Sequence, residues 1–418
     1  MTLPADGVPL LVVADLALVV IVVRCAGALA VRVGEPRIAG EMVGAILLGP
    51  TVLGGQIEGV SRGAASSGLV GDLFPPVAVD VLTWAGTLGM ILYMLLVGLT
   101  IDATPMRRRV GTILVVALSI IGSMALIAVV TARWLGAGGG WRGPDATGAA
   151  FVLALAAALA VHGVPIAARI LEERGLLRTE IGAIVIACGA CATTLALVTS
   201  GVAIRGGDGA AAAQLALIVA AAVLLVAIAA PLARSRWVRL PPMVAVGALL
   251  AIAFAAGAGG KALLGTVLLG PLIAGIAVRN GGHAAVFLER HLGTIVRGAL
   301  LPLFLAVAAL HANLRDLGLG AIGPVLALIA TIVAVKWVGT YLSARAVGFD
   351  RCEARAMGGL LQCGGVMTLA ISLDVLQAGI ITPRTHALLT LAGLVTTLVA
   401  GPLLAASGLA RRAAVATT

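Results

Sequence analysis

Charge is scarce in this sequence. Of its 418 residues only 11 % are Asp, Glu, Lys or Arg, and only 3 % are aromatic. A soluble domain carries roughly 25 % charged residues, so a soluble fold is excluded. Regular polar–apolar alternation is missing too. With 61 % hydrophobic residues and a mean hydropathy of +1.14, too few polar positions remain for a transmembrane β-barrel, whose strands alternate between lipid and lumen. Cysteine is sparse and odd in number. Four of the five (Cys25, Cys188, Cys191 and Cys363) lie in apolar runs and Cys352 lies outside them, a pattern of free thiols and not of a disulfide framework. A Gly-rich phosphate loop is absent, which excludes ATP-driven transport by this chain alone. The opening MTLPADGVPLL has no basic stretch before its apolar run, so the first helix is expected to be kept and not cleaved as a signal peptide.

What is present is a succession of long apolar runs. A membrane-crossing helix needs about 20 apolar residues. Breaks in hydropathy predict about thirteen spans, near 8–31, 37–55, 77–101, 110–133, 148–170, 179–204, 212–233, 240–257, 261–278, 298–314, 318–344, 355–377 and 385–408. The expected fold is an all-α polytopic membrane protein forming one transmembrane domain over 1–418. Its first half covers about 1–204, a linker span 212–233, and the second half about 240–410, with no soluble regulatory domain. The Gly/Ser-rich stretch near 56–76 reads as a loop. The amphipathic stretch 282–297 reads as an interfacial helix joining the halves.

The net charge of +10 sits in the short loops, where it sets orientation and does not recruit nucleic acid. With the N-terminus placed outside, nineteen of the basic residues fall on one side, in clusters such as Arg107–Arg108–Arg109 and Arg234–Arg236–Arg239, and seven fall on the other. Arg24 and Lys336 lie within spans. That bias predicts a multi-pass protein of the plasma membrane with an outside N-terminus and a cytoplasmic C-terminus.

Charges inside a bilayer are costly and mark function or pairing. Here they are Asp15, Arg24, Glu41, Asp80, His162, Lys336 and Asp374. Glu41, Asp80 and Asp374 read as structural. Asp15 and Arg24, nine apart, are not neighbours on one helix face and must look to other helices. Two spans carry helix breakers at mid-length. Gly163 and Pro165 interrupt span 5, and Gly364 and Gly365, beside Gln362 and Cys363, interrupt span 12. Proline removes a helix hydrogen bond and clashes with the preceding turn. A broken helix at membrane depth is tolerated only inside protein or along a cavity, and one interruption in each half points to a transporter site. The alternative is that these small residues merely let helices pack closely.

Several runs now fall into place together. Gly34-Glu35-Pro36-Arg37 with Gly40-Glu41-Met42 and Leu47-Leu48-Gly49-Pro50, then Ala168 to Leu177, Leu303-Phe304 through Leu314, and Leu394-Val395-Thr396-Thr397 with Gly401-Pro402 resemble, in order, the motifs of the second branch of the monovalent cation:proton antiporters, the potassium-efflux and sodium/proton exchanger group. The resemblance covers nearly the whole chain. It implies the antiporter fold: two inverted repeats, crossed discontinuous helices at spans 5 and 12, and a homodimer. It also implies exchange of sodium or potassium for protons, with no cofactor.

The departures from that pattern cluster at its centre. The acidic pair of the sixth span falls at Ala192 and Thr193, and the arginine of the twelfth at Gly364. Lys336 matches the family lysine. The implied site holds His162, Lys336, Cys188, Cys191, Thr193, Thr194, Gln362, Cys363 and Thr368. His162 is a proton carrier or acid/base group, being the side chain that titrates nearest neutrality, or a hydrogen-bonded structural residue. Lys336 either sheds its proton or donates to carbonyls freed by the broken helices. Cys188 and Cys191, three apart, lack the further ligands a metal needs and read as packing residues, with no metal. Thr193 and Thr194 either coordinate a dehydrated cation or bond back to the preceding turn. An intact scaffold with a rewritten centre leaves three functions open: cation/proton exchange, export of an organic or anionic substrate such as a lipophilic metabolite or ionophore, and a membrane-embedded isomerase or cyclase on an apolar small molecule. The expected partners are the lipid bilayer, a second copy of the chain, and either cation and proton or the small molecule.

Overall fold

In a computed structural model the described residues are 8–33, 35–53, 73–101, 106, 108–138, 140–205, 242–264, 267–278, 283–310, 313–317 and 322–409. They are helical, with one isolated bridge between Arg142 and Ile381 and no strand among them. Eight of the described helices are long and apolar enough to cross a membrane. The expected loop near 56–76 falls largely, and the linker span 212–233 wholly, outside the described residues. The chain forms two compact units, each drawing on both halves of the sequence.

The first unit contains α1 (Val8–Arg32), α2 (Arg37–Leu47), α3 (Pro76–Thr100), α8 (Pro242–Leu264, to residue 258), α9 (Leu269–Val278), α10 (His283–Ile295) and α11 (Leu301–Leu310). Small residues let its backbones touch. Gly40 of α2 lies against Ala26 and Ala30 of α1, and Gly44 four residues on lies against Ala26 and Val23. This spacing of small residues is the one that brings membrane helices close. Glu41, fully buried between them, accepts a 2.8 Å hydrogen bond from Arg24. The predicted interfacial helix at 282–297 is not a separate element. α10 runs into α11 through a π-helical turn, Val296–Leu300. Pro302, which has no N–H, follows that turn, and a π-turn absorbs such a lost bond without ending the helix. The boundary between spans 8 and 9 also moves, because α8 continues through 258–260 to Leu264.

The second unit contains α4 (Val110–Gly138), α5 (Gly148–Ala160), α6 (Val164–Glu173), α7 (Glu180–Arg205), α12 (Ile322–Ala346), α13 (Arg351–Leu360), α14 (Gly365–Gln377) and α15 (Pro383–Ser407). Its helix starts are well signalled. The Thr147 hydroxyl accepts from Ala150 N, Asp350 and Glu353 form a reciprocal capping box, and Thr382 precedes Pro383. Such caps satisfy amides that the first turn leaves free. Spans 5 and 12 are each two half-helices, α5/α6 and α13/α14, broken at Val161–Gly163 and at Leu361–Gly364.

Candidate functional site

The two breaks lie against each other inside the second unit. Gly163 N donates to Cys363 O at 2.7 Å, so each interrupted helix satisfies the other's backbone. Close approach requires glycine. Gly365 adopts φ +48° and a Cβ there would strike Ile166. Gly364 stands where the family pattern carries arginine. A Cβ there would come within 2.6 Å of Thr368 Oγ1 and 3.5 Å of Thr396 Oγ1, so buried threonines fill the space a larger side chain needs. Thr368 N donates back to Gly364 O at 3.4 Å.

Thr193, on α7, clamps the first break. Its hydroxyl accepts from His162 N at 3.1 Å and donates to His162 O at 3.0 Å. One side chain thus pairs both backbone groups of the residue at which the helix is interrupted. The neighbouring Thr194 instead donates to Ala190 O in its own helix at 2.9 Å. Ala192 is buried without a polar group.

Lys336, on α12, is 1 % exposed, and its Nζ donates to Leu159 O at 3.2 Å. Leu159 lies in the last turn of α5, where carbonyls lack helical donors and the helix dipole is negative, so a cation is well placed there. Lys336 is near enough to His162 and to Cys363 to act on each electrostatically. Gln362 donates through Nε2 to Val333 O and Gly358 O, both at 3.3 Å, while its Oε1 is buried without a partner. His162 is 2 % exposed, and neither ring nitrogen makes a well-formed hydrogen bond, the backbone of Leu361 and Ala160 being its nearest polar surroundings. Its Cβ lies by Gly189, beside Val164 and Leu361. Buried polar atoms are almost always satisfied, so an imidazole without a well-formed hydrogen bond, in a centre that also holds a buried ammonium, asks for an explanation.

Cys188 and Cys363 are buried and Cys191 is half-buried; all are free thiols. Among the described residues no three His, Cys, Asp or Glu side chains gather to hold a metal. The structure therefore brings His162, Lys336, Thr193, Gln362, Cys363 and Thr368 to the crossing, buries Cys188 in α7, and turns Thr194 back into its own helix. Two features were not read from the sequence: the Thr193 clamp and the Arg24–Glu41 pair. Each joins residues on different helices, 31 and 17 positions apart.

Comparison with known proteins agrees with this architecture. The family model described as the transmembrane sodium/hydrogen exchanger matches residues 17–407. The Na(+)/H(+) antiporter NhaS4 of Synechocystis is 27 % identical, over 94 % of this chain and 96 % of its own. Cation/H(+) antiporter 18 of Arabidopsis thaliana is 26 % identical over 96 % of this chain, which spans 50 % of that relative's length. Among solved structures, the sodium proton antiporter MjNhaP1 of Methanocaldococcus jannaschii superposes with a TM-score of 0.65 at 14 % identity, covering 95 % of this chain and 99 % of its own.

Proposed function

The chain belongs to the sodium/hydrogen exchanger family of membrane proteins, and from that premise we propose that it exchanges a monovalent cation for a proton at the crossing of its broken helices, with His162 as the proton carrier. The observation that carries the reading is the fully buried imidazole, neither of whose nitrogens makes a well-formed hydrogen bond, one residue from the backbone bond that joins the two breaks. The relatives named Na(+)/H(+) and cation/H(+) antiporters support the class of substrate.

Coupling here does not need a carboxylate that binds cation and proton in turn. The half-helices meeting at the breaks carry no acid there, and Lys336 makes no ion pair among the described residues. A centre with two protonatable bases and no counter-anion tolerates little positive charge. Two unit charges about 5 Å apart at an effective dielectric constant of about 20 repel by about 3 kcal/mol, more than a hundredfold in occupancy. A cation therefore enters when His162 is neutral and is expelled when it gains a proton. Gln362 Oε1, unpaired and buried, and carbonyls at the half-helix ends are the hard oxygen ligands that a monovalent cation prefers over thiols. Lys336 holds the negative end of α5, the Thr193 hydroxyl holds the backbone of His162, and Thr368 lines the second break. Cys188, Cys191 and Cys363 pack. The protein works in the plasma membrane as a homodimer, N-terminus outside and C-terminus cytoplasmic, with its two sequence halves as inverted repeats.

The test is proton flux in proteoliposomes carrying an interior pH dye, pulsed with sodium, potassium or lithium. A cation-dependent pH change is expected in the wild type and its loss in His162→Ala and His162→Gln. Because Thr193 holds the backbone and not the ring of residue 162, both variants should fold. Unchanged exchange in both removes histidine from the coupling. No response to any cation from folded wild-type protein removes exchange altogether.

A further inference from the structure

The second unit has a cleft of about 820 Å³, among the described residues and away from the crossing. It lies between the end of α4 and the start of α5. Its walls include Val129, Leu135, Trp141, Phe151 and Val152, and two arginines, Arg133 and Arg142, line it as well. Both arginines are exposed and neither has an ion pair or hydrogen bond to another described side chain. A third, Arg384, lies over the Trp141 ring at 4.3 Å. The single acid nearby on the same loop, Asp145, lies against Gly379.

The basic side of the cleft is held in place. Gly143 N donates to Ile380 O at 2.9 Å and Asp145 N to Gly379 O at 3.2 Å. The Trp141 carbonyl accepts from the hydroxyls of Thr385 at 2.6 Å and Thr382 at 3.1 Å. Trp141 and Arg142 therefore stand on a fixed platform at the start of α15. The adjoining face of α4 is apolar and exposed, with Leu126, Val130 and Trp134 at 63 %, 56 % and 47 %. Exposed apolar residues on a spanning helix face lipid, and tryptophan marks the level where chains meet headgroups.

We propose that this cleft binds an anionic phospholipid, its acyl chain along Val129 and Val152 and its phosphate between Arg133 and Arg142. Charge complementarity selects the occupant. Arginine forms bidentate bonds with phosphate, two unpaired arginines prefer a headgroup with net negative charge, and an apolar floor between them suits a chain and not a free ion. On the orientation expected from the loop charges, the site lies in the outer leaflet, where basic residues are few, which makes the cluster the more selective.

The experiment follows the unfolding temperature of protein in neutral detergent while dioleoylphosphatidylglycerol, dioleoylphosphatidylcholine or glycerol-3-phosphate is titrated in. Near a membrane surface each arginine adds about fivefold to attraction for an anionic lipid, about thirtyfold for the pair. The phosphatidylglycerol is expected to stabilise wild type at concentrations about thirtyfold below the phosphatidylcholine. R133Q/R142Q should reduce that preference to within about twofold, R133K/R142K should retain most of it, and R290Q, on α10, should leave it unchanged. Equal response of the wild type to both lipids overturns the proposal, as does an undiminished preference in R133Q/R142Q. Stabilisation by glycerol-3-phosphate at the same concentrations assigns the cleft to a free anion and overturns the lipid. None of these readings depends on whether the crossing carries out exchange.

Discussion

Removing the Thr193 hydroxyl while keeping its shape should cost more than removing its methyl. The hydroxyl serves two buried backbone groups, accepting from His162 N at 3.1 Å and donating to His162 O at 3.0 Å. Valine fits the same volume but leaves His162 N unpaired, while His162 O keeps only the bond from Val164 N at 3.0 Å. A buried group stripped of its partner costs about 1–3 kcal/mol, so Thr193→Val should lose about 1–3 kcal/mol through His162 N, the lower end applying if the break relaxes toward α7. Thr193→Ser keeps the hydroxyl and gives up one methyl, worth about 1 kcal/mol. The expected order of stability is therefore wild type, Ser, Val. Packing alone predicts the reverse for the two variants, since valine fills the site and serine does not. Thermal unfolding in detergent, with tryptophan fluorescence and size exclusion as independent readouts, gives the order directly. A Val variant as stable as wild type, or more stable than Ser, would falsify the clamp.

The half-buried pair at α1 and α2 gives a second test: Glu41→Gln should destabilise by about 1–3 kcal/mol by leaving the Arg24 guanidinium without its anion, and adding Arg24→Gln should recover part of that loss in the same unfolding assay, whereas additive losses would show that the two do not interact. At the second break, Gly365→Ala forces a Cβ into a left-handed conformation against Ile166, costing about 1–2 kcal/mol for the backbone alone and more for the collision. Ile166→Ala should suppress the collision part, and the absence of any suppression in the double variant would refute that contact.

The breaks in spans 5 and 12 were legible because proline and paired glycines write their effect on the backbone locally. Lys336 was legible as a charge within a span and Gln362 by its place beside the second break, but only the resemblance pointed both to one centre. The Thr193 clamp and the Arg24–Glu41 pair were not, because each depends on which helices pack together and at what register. The stretch 282–297 misled for the opposite reason. Its charges argued for a surface helix ending before Gly298, but a π-turn ahead of Pro302 lets one helix continue from 283 to 310. The cleft at Arg133 and Arg142 could not be read at all, for it depends on the loop between α4 and α5 lying against the start of α15.

That loop has a mechanical consequence. The two interrupted helices are joined at mid-length by the Gly163–Cys363 bond, and again beyond their ends, where 143–145 meets 379–380. A single junction is a pivot, about which two rods swing freely. A second junction displaced along the same rods turns the pivot into a truss, and torque applied to one rod is carried by the other. The crossing is thus poorly suited to flexing at its own breaks. A displacement that carries the bound ion should move the four half-helices as one piece, with Thr193 and Lys336 travelling alongside.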